Sequence, residues 1–158
     1  MGRWMFALLA ILVVVFFVYV KVSSKMPEDL GITEGVLKPC PTAPNCVSSQ
    51  ASSDDEVHFA EPIIYTGERK ATQLLIESSM LNHSDMKARL VTSELGYVHF
   101  EVKSRLIGFI DDVEFYLPEG DSIVHFRSAS RVGYYDFCVK RERVKNIRAL
   151  LSNGSSPN

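Results

Sequence analysis

The sequence has 158 residues, which is enough for one domain and too few for two domains of ordinary size. Apolar residues make up 46% of it, but residues 4–20 (WMFALLAILVVVFFVYV) form a continuous apolar run without a charge. From residue 27 onward the chain carries 19 acidic and 14 basic side chains, a net charge of −5. A nucleic-acid-binding protein would present a basic face to the phosphates, so the composition argues against a nucleic-acid partner.

The apolar run predicts one N-terminal transmembrane helix that contacts the lipid bilayer through residues 4–20, within an anchor unit of residues 1–25. Its length lies at the short end of the roughly 17–25 residues that span a bilayer, where the backbone satisfies its hydrogen bonds only as a helix. A cleaved signal peptide is the alternative, but Val22, Ser23 and Ser24 make a mediocre cleavage site. Basic residues at the two ends nearly balance, and the short N-terminal stub favours an extracytoplasmic domain.

Residues 26–56 are rich in Pro, Gly and Ser and lack a periodic apolar pattern, so they predict an extended or irregular tether. Cys40 and Cys46 flank two prolines in CPTAPNC and are the candidate disulfide in an oxidising compartment. Two free thiols remain the alternative, because spacing alone does not establish the geometry. We expect Val47 and the cysteine pair to pin the end of the tether onto the domain. The remaining cysteine, Cys138, is expected to be a small buried apolar side chain.

Residues 57–151 predict one α+β domain, followed by a disordered tail over residues 152–158. An edge strand is expected within residues 57–65, since Pro62 interrupts that segment. An amphipathic helix over residues 68–81 carries apolar or small residues at helical spacing, namely Ala71, Leu74, Leu75, Ser78 and Leu81.

The predicted strands that follow cover residues 87–93, 97–105, 109–117 and 122–128. The second alternates, with an apolar face of Val98, Phe100 and Val102 and a polar face of Tyr97, His99, Glu101 and Lys103. A last helix covers residues 139–151, with an apolar face of Val144, Ile147 and Leu151, and Asp136 is expected to cap its start. The polar side of this helix is basic and is expected to face solvent through Lys140, Arg141, Arg143, Lys145 and Arg148; contact with anionic lipid is the alternative. Helix, antiparallel meander and helix together predict a sheet of four to five strands, with two helices covering its apolar face.

The tetrapeptide of residues 118–121 (PEGD) predicts the turn of a β-hairpin. If these four residues form the whole loop, Glu114 lies opposite His125 and Asp112 lies opposite Arg127. Opposite charges directly across a strand pair contribute roughly 0.2–1 kcal/mol each. A slip by one residue would bury them, so we expect this register.

The sequence contains no Gly-rich phosphate loop, GxSxG elbow or HExxH motif, and its three cysteines do not form a standard zinc framework. It therefore predicts no metal site and no cofactor. Asp111, Asp112 and Glu114 form a carboxylate cluster that could bind Ca²⁺ or Mg²⁺, or act with His125 in acid–base catalysis. The alternative is that basic side chains such as Arg127 neutralise them in cross-strand pairs.

The segment of residues 126–136 (FRSASRVGYYD) places small residues between two arginines. A guanidinium group is the natural partner of a carboxylate or phosphate, and the following helix offers backbone N–H groups to an anion. The candidate ligand-binding residues are therefore Asp111, Asp112, Glu114, Arg127, Ser128, Ser130, Arg131 and Arg141. Internal pairing of these arginines with acidic side chains is the alternative.

Three separated motifs resemble the domain-of-unknown-function family 1499: LKPCP with PNCVSS in residues 37–49, GFIDDVEF in residues 108–115, and RSASRVGY in residues 127–134. The resemblance extends to about residue 151. It implies a compact domain that is often associated with a membrane or cell envelope, and it supplies no activity. The sequence departs from the family's Gly and Asn near Cys138 and Lys140, so the backbone at the start of the last helix is expected to differ.

These features favour a non-enzymatic, membrane-anchored envelope module that binds a protein partner or a small anionic ligand. A hydrolase-like or metal-assisted enzyme is the first alternative, and a purely structural envelope module is the second.

Overall fold

The computed structural model describes residues 2–82, 87–104, 108–133 and 139–153. Within these ranges the helices are α1 (Gly2–Ser23), α2 (Arg69–Asn82) and α3 (Val139–Asn153). The strands are β1 (Ile32–Thr33), β2 (Val36–Leu37), β3 (Cys46–Ser48), β4 (Ile63–Ile64), β5 (Lys87–Glu94), β6 (Tyr97–Lys103), β7 (Ile110–Tyr116) and β8 (Ile123–Ser130).

Six of the described strands form an antiparallel sheet in the order β3-β8-β7-β6-β5, with β4 pairing to β8 off this path. Strands β1 and β2 form a separate two-stranded hairpin. The predicted α+β architecture with an N-terminal apolar helix is confirmed. The edge strand expected within residues 57–65 is present as β4, and the sheet exceeds the predicted four to five strands by β3, whose three residues are too few for a periodic signal.

The apolar face of the sheet packs against α2 and α3 and forms the core. Val98, Phe100 and Val102 of β6 are 0%, 0% and 5% exposed, which confirms the predicted alternation along that strand. Phe100 meets Phe115 of β7 edge to face, with 6.3 Å between ring centroids. The expected apolar residues of α3 are also buried here, namely Val144, Ile147 and Leu151.

Helix α2 packs with a different face from the one that its apolar spacing predicts. Its buried residues are Thr72, Gln73, Ile76 and Met80, whereas Leu74, Leu75 and Leu81 are about half exposed. Gln73 is buried because it serves the β5–β6 turn: its Oε1 accepts from Gly96 N at 2.8 Å and its Nε2 donates to Glu94 O at 3.0 Å. The predicted apolar stripe therefore faces outward.

The β7–β8 hairpin has a register two residues away from the predicted one. Glu114 lies opposite Arg127 rather than His125, and Asp112 lies opposite Ala129 rather than Arg127. The loop is longer than four residues, because the last β7–β8 pair is Tyr116 opposite His125, and Ile123 and Val124 pair with β4. A shift of two residues keeps each side chain on its predicted face, although the cross-strand partners change.

Part of the predicted tether is ordered structure. Strand β3 is fully buried and pairs with β8, with Ser48 opposite Arg127. Cys46, the first residue of β3, forms a disulfide with Cys40, with their Cα atoms 5.6 Å apart. Of the extended or irregular chain that was expected here, β1, β2 and β3 are extended and pair as strands, whereas the proposed domain boundaries stay predictions. Cys138 and residues 154–158 lie outside the described residues.

Candidate functional site

The second face of the sheet carries charged side chains and is nevertheless buried. His99, Asp112, Glu114 and Arg127 on this face are all less than 5% exposed. The chain that follows α1 covers them, since Gly31 N donates a hydrogen bond to Glu114 Oε1 at 2.9 Å. Charged groups removed from water need partners, and neighbouring side chains and backbone groups supply them.

Asp112 is held by two basic side chains. His99 Nε2 lies 2.8 Å from Asp112 Oδ1, while Arg131 donates from Nε to Oδ2 at 2.9 Å and from Nη2 to Oδ1 at 2.7 Å. Burial raises the pKa of Asp112, but the hydrogen bonds from Arg131 and His99 outweigh it and hold the pKa below its usual value. The group is therefore an ionised structural carboxylate with both oxygens engaged.

Glu114 is fully buried and accepts from three donors. Arg127 Nη1 donates to Oε2 at 3.3 Å, Tyr97 donates its hydroxyl hydrogen to Oε1 at 2.9 Å, and Gly31 N reaches the same Oε1. Burial and the neighbouring Glu114 charge raise the pKa of Tyr97 far above its usual value, so its hydroxyl stays a donor. Arg127 is less completely bonded, because its buried Nε lacks a hydrogen-bond partner within the described ranges.

Arg131 connects this network to the end of the apolar helix. Its Nη2 also donates to Glu101 Oε1 at 2.6 Å, and its Nη1 donates to the Ser24 carbonyl at 2.9 Å. The hydrogen bonds that Arg131 donates to Asp112 and Glu101 raise the pKa of its guanidinium. Ser24 directly follows α1, so one buried arginine joins the sheet to the residue where that helix ends.

Asp111 points to the core face and forms a second cluster. Its Oδ1 accepts from Ser130 Oγ at 2.6 Å, and its Oδ2 accepts from Arg143 Nη2 at 3.1 Å. Arg143 Nη1 also donates to Ser128 Oγ at 2.7 Å. Lys140 Nζ donates to Ser130 Oγ at 2.9 Å. The expectation that Lys140 and Arg143 face solvent is wrong: they are 1% and 5% exposed.

Two further candidates lie elsewhere. His125 contacts Ser49 Oγ through Nδ1 at 3.2 Å and stacks on Tyr116, rather than meeting the carboxylates. Burial lowers the pKa of His125. Arg141 donates to three main-chain carbonyls at 2.8–3.0 Å, those of Glu56, Val57 and Phe59. It therefore fixes the turn before β4.

The candidate site residues predicted from the sequence did not include three members of the polar face, namely Tyr97, His99 and Glu101. Their alternation along β6 places them on the face opposite the core, which was readable from the sequence. Their burial was not readable, because it results from residues 24–37 lying over the sheet. Asp136, expected to cap the start of α3, lies outside the described residues.

The described residues contain no group of three His, Cys, Asp or Glu side chains placed to hold a metal ion. A cleft of about 260 Å³ opens beside the disulfide and is lined in part by Leu37, Ser48 and Gln50. Gln50 already bonds Leu37 N and the Gly35 carbonyl through its side chain. The polar side chains that the sequence predicts as candidate site residues therefore already form hydrogen bonds or ion pairs within the protein.

In the part of the chain that the structure describes, one helix is long and apolar enough to cross a membrane. It covers Trp4–Ser23 with a mean hydropathy of 2.8, and a signal sequence would have the same properties.

Comparison with protein families gives a match over residues 36–151 to the family described as "Protein of unknown function (DUF1499)". The search of curated proteins and the search of solved structures found no match. The matched region covers most of the chain and includes all the strands of the six-stranded sheet, together with α2 and nearly all of α3. The chain therefore belongs to the DUF1499 family of proteins of unknown function.

Proposed function

We propose that this protein is a single-pass membrane protein that retains α1 as its anchor and presents a non-catalytic binding domain on the extracytoplasmic side. The observation that carries the proposal is the Arg131–Ser24 hydrogen bond, which attaches the sheet to the residue immediately after α1. Val20, in the last turn of α1, is only 6% exposed, whereas most of that helix is open. A helix destined for removal has no need to pack against the domain that it leaves.

The state of the candidate catalytic groups supports a non-catalytic role. Asp111, Asp112 and Glu114 each accept hydrogen bonds from buried basic side chains. A general acid or base needs an accessible site for the proton that it transfers. These carboxylates therefore favour a structural role over the enzymatic alternative.

The outward face of α2 supports binding of a protein partner. Leu74 and Leu81 are 53% and 47% exposed and lie seven residues apart, as do the small residues Ala71 and Ser78. This spacing matches a helix seam, in which apolar knobs enter holes on a facing helix. We assign this surface to an amphipathic helix of another protein.

A small anionic ligand is the second candidate, favoured by the buried Arg127 guanidinium and its unbonded Nε. Its test is the melting temperature of the full chain in detergent with and without millimolar phosphate. A rise that is lost in Arg127→Lys would support an anion site. The absence of a rise would leave the protein partner as the proposed ligand.

The anchor is tested by the intact mass of the full-length protein recovered from membranes after an alkaline wash. We expect residues 1–23 to be present and the protein to stay with the membrane. A mature protein that starts after Ser24, or one released by the wash, would contradict a retained anchor.

The docking surface is tested with a photo-crosslinking residue in place of Ser78 and, as a control, in place of exposed Ser52. We expect the crosslinked adduct from position 78 to lie on an amphipathic helix of one other protein and to be lost in Leu74→Ser/Leu81→Ser. Adducts that are equal at both positions, or that join two copies of this chain, would contradict that assignment.

A further inference from the structure

Two lysines, which carry the same charge, lie directly opposite each other at one end of the sheet. The β5–β6 register sets Lys87 directly opposite Lys103, and both side chains are exposed. Like charges at directly opposed positions destabilise a strand pair. Within the described residues neither lysine has an ion pair with an acidic side chain, whereas the neighbouring Arg89 pairs with Glu101. The lysine pair therefore has no compensating partner in the described part of the protein.

This end of the sheet is where α1 arrives. Lys103 lies opposite Ile110 of β7, and the Ile110 carbonyl accepts from Arg131 N at 3.0 Å. The Arg131 side chain binds the Ser24 carbonyl and Glu101. Glu101 and Lys103 are two residues apart on one strand face, which is about 7 Å. The lysine pair therefore lies about two residues along the strand from Glu101, which Arg131 joins to Ser24, the residue after α1.

The chain that follows Ser24 runs away from the lysine pair. After Ser24 meets Arg131, the backbone runs along the polar face to Gly31, which bonds Glu114 farther from the lysines. Glu101 and Asp112 lie opposite each other in the row next to Lys103, and Glu114, opposite His99, lies one row farther from the lysine. Because the chain after Ser24 leads away from the lysines, we infer that α1 reaches Ser24 from the end of the sheet that carries them.

We propose that Lys87 and Lys103, together with Lys21 and Lys25 at the end of α1, contact anionic phospholipid headgroups of the bilayer that α1 spans. This inference rests on the proposed retention of the anchor. Headgroup phosphates supply the negative charge that the cross-strand pair lacks. Each lysine near an anionic bilayer surface strengthens attachment by about fivefold, and salt weakens the effect. The contact holds the domain in one orientation on the membrane.

The test uses the full chain in nanodiscs of either phosphatidylcholine or a mixture of phosphatidylcholine with phosphatidylglycerol. We expect a melting temperature higher by roughly 4 °C in the anionic discs, and little difference at high salt. Lys87→Gln/Lys103→Gln should lose about half of the difference between the discs, because Lys21 and Lys25 remain. In phosphatidylcholine the same variant should melt at an equal or higher temperature, because the lysine repulsion is gone.

The matched control is Lys70→Gln/Lys145→Gln, which neutralises two exposed lysines on α2 and α3. It should keep the full response to anionic lipid. An equal melting temperature of the wild-type protein in both discs would overturn the proposal, as would equal behaviour of the two double variants. A rise produced by soluble phosphate in phosphatidylcholine discs would assign the lysines to a free anion instead. The intact mass of the protein in the discs shows whether residues 1–23 are present, and so distinguishes these outcomes from loss of the anchor.

Discussion

Arg131 holds both carboxylate oxygens of Asp112, with Nε–Oδ2 and Nη2–Oδ1 distances of 2.9 and 2.7 Å. The two side chains are 4% and 3% exposed, so this bidentate ion pair is almost completely removed from water. A buried ion pair contributes little compared with an apolar pair of the same shape, but the loss of one partner leaves an uncompensated charge.

Replacing Asp112 with Asn should therefore destabilise the domain strongly. The change leaves Arg131 without its main counter-charge and weakens the contact with His99, at a cost of about 3–5 kcal/mol in the free energy of unfolding. Urea unfolding of the full chain in detergent measures this. Asp54→Asn removes an exposed carboxylate and should change the free energy by less than about 0.5 kcal/mol. Equal effects of the two variants would contradict the structural role of Asp112.

The same network predicts loss of stability in acid. Burial raises the pKa of Glu101, but the hydrogen bonds from Arg89 and Arg131 outweigh it and hold the pKa below its ordinary value. The unfolded chain thus binds this proton at a higher pH than the folded chain does. The stabilisation is present above the unfolded pKa and is lost as the pH falls through the folded pKa.

Glu101→Gln should accordingly flatten the decline in stability below about pH 4.5. The measurement is the urea midpoint of wild type and variant between pH 3 and pH 7. Glu61→Gln is the control, because Glu61 is exposed. A variant with the same acid dependence as wild type would show that Glu101 ionises equally in both states.

The two faces of α2 should respond in opposite ways to substitution. Ile76 and Met80 are completely buried, so Ile76→Ala or Met80→Ala should cost about 2–5 kcal/mol. Leu74→Ala or Leu81→Ala should cost less than about 1 kcal/mol in the isolated protein, because these leucines face outward. Denaturant unfolding of the four variants distinguishes the faces. A large loss from Leu74→Ala would mean that the apolar stripe packs inward.

The Cys40–Cys46 disulfide should contribute about 2 kcal/mol, since it closes a short loop and the entropy removed from the unfolded chain grows slowly with loop length. Cys40→Ser/Cys46→Ser should stay folded, because Leu37 and Val47 remain buried beside it. The comparison is urea unfolding of the oxidised wild type with that of the double variant. A reducing agent should destabilise the wild type and leave the variant unchanged; an equal response would indicate that another thiol is involved.

Local sequence patterns predicted the helices and strands better than they predicted which residues of those elements contact one another. The alternation in β6 identified its buried face, because a half-buried strand is hydrophobic at every second residue. The buried face of α2 was not predictable from its own sequence. Gln73 and Thr72 are buried where Leu74 and Leu75 are exposed, since the β5–β6 turn needs the Gln73 amide.

The candidate site shows the same limit. The alternation placed Asp112, Glu114 and Arg127 on one face, and the structure has them there. Which acid meets which arginine depends on the hairpin register, and the loop of residues 117–124 gives a register two residues away from the predicted one. The chain after α1 buries this polar face through contacts between residues that are far apart in the sequence. No local sequence pattern predicts such contacts.

Gly96 and Gly120 provide a matched test of the β5–β6 turn. Both have a positive φ, +92° and +87°, so alanine is strained at either position by about 1 kcal/mol. A Cβ at Gly120 would meet open space, whereas one at Gly96 would lie 2.9 Å from the Leu117 carbonyl and would overlap Arg69, which bonds that carbonyl. Gly96→Ala should therefore lower the free energy of unfolding by clearly more than Gly120→Ala does, as urea unfolding would measure. Equal losses would mean that the backbone conformation alone sets the cost, and that Arg69 moves aside without weakening the turn.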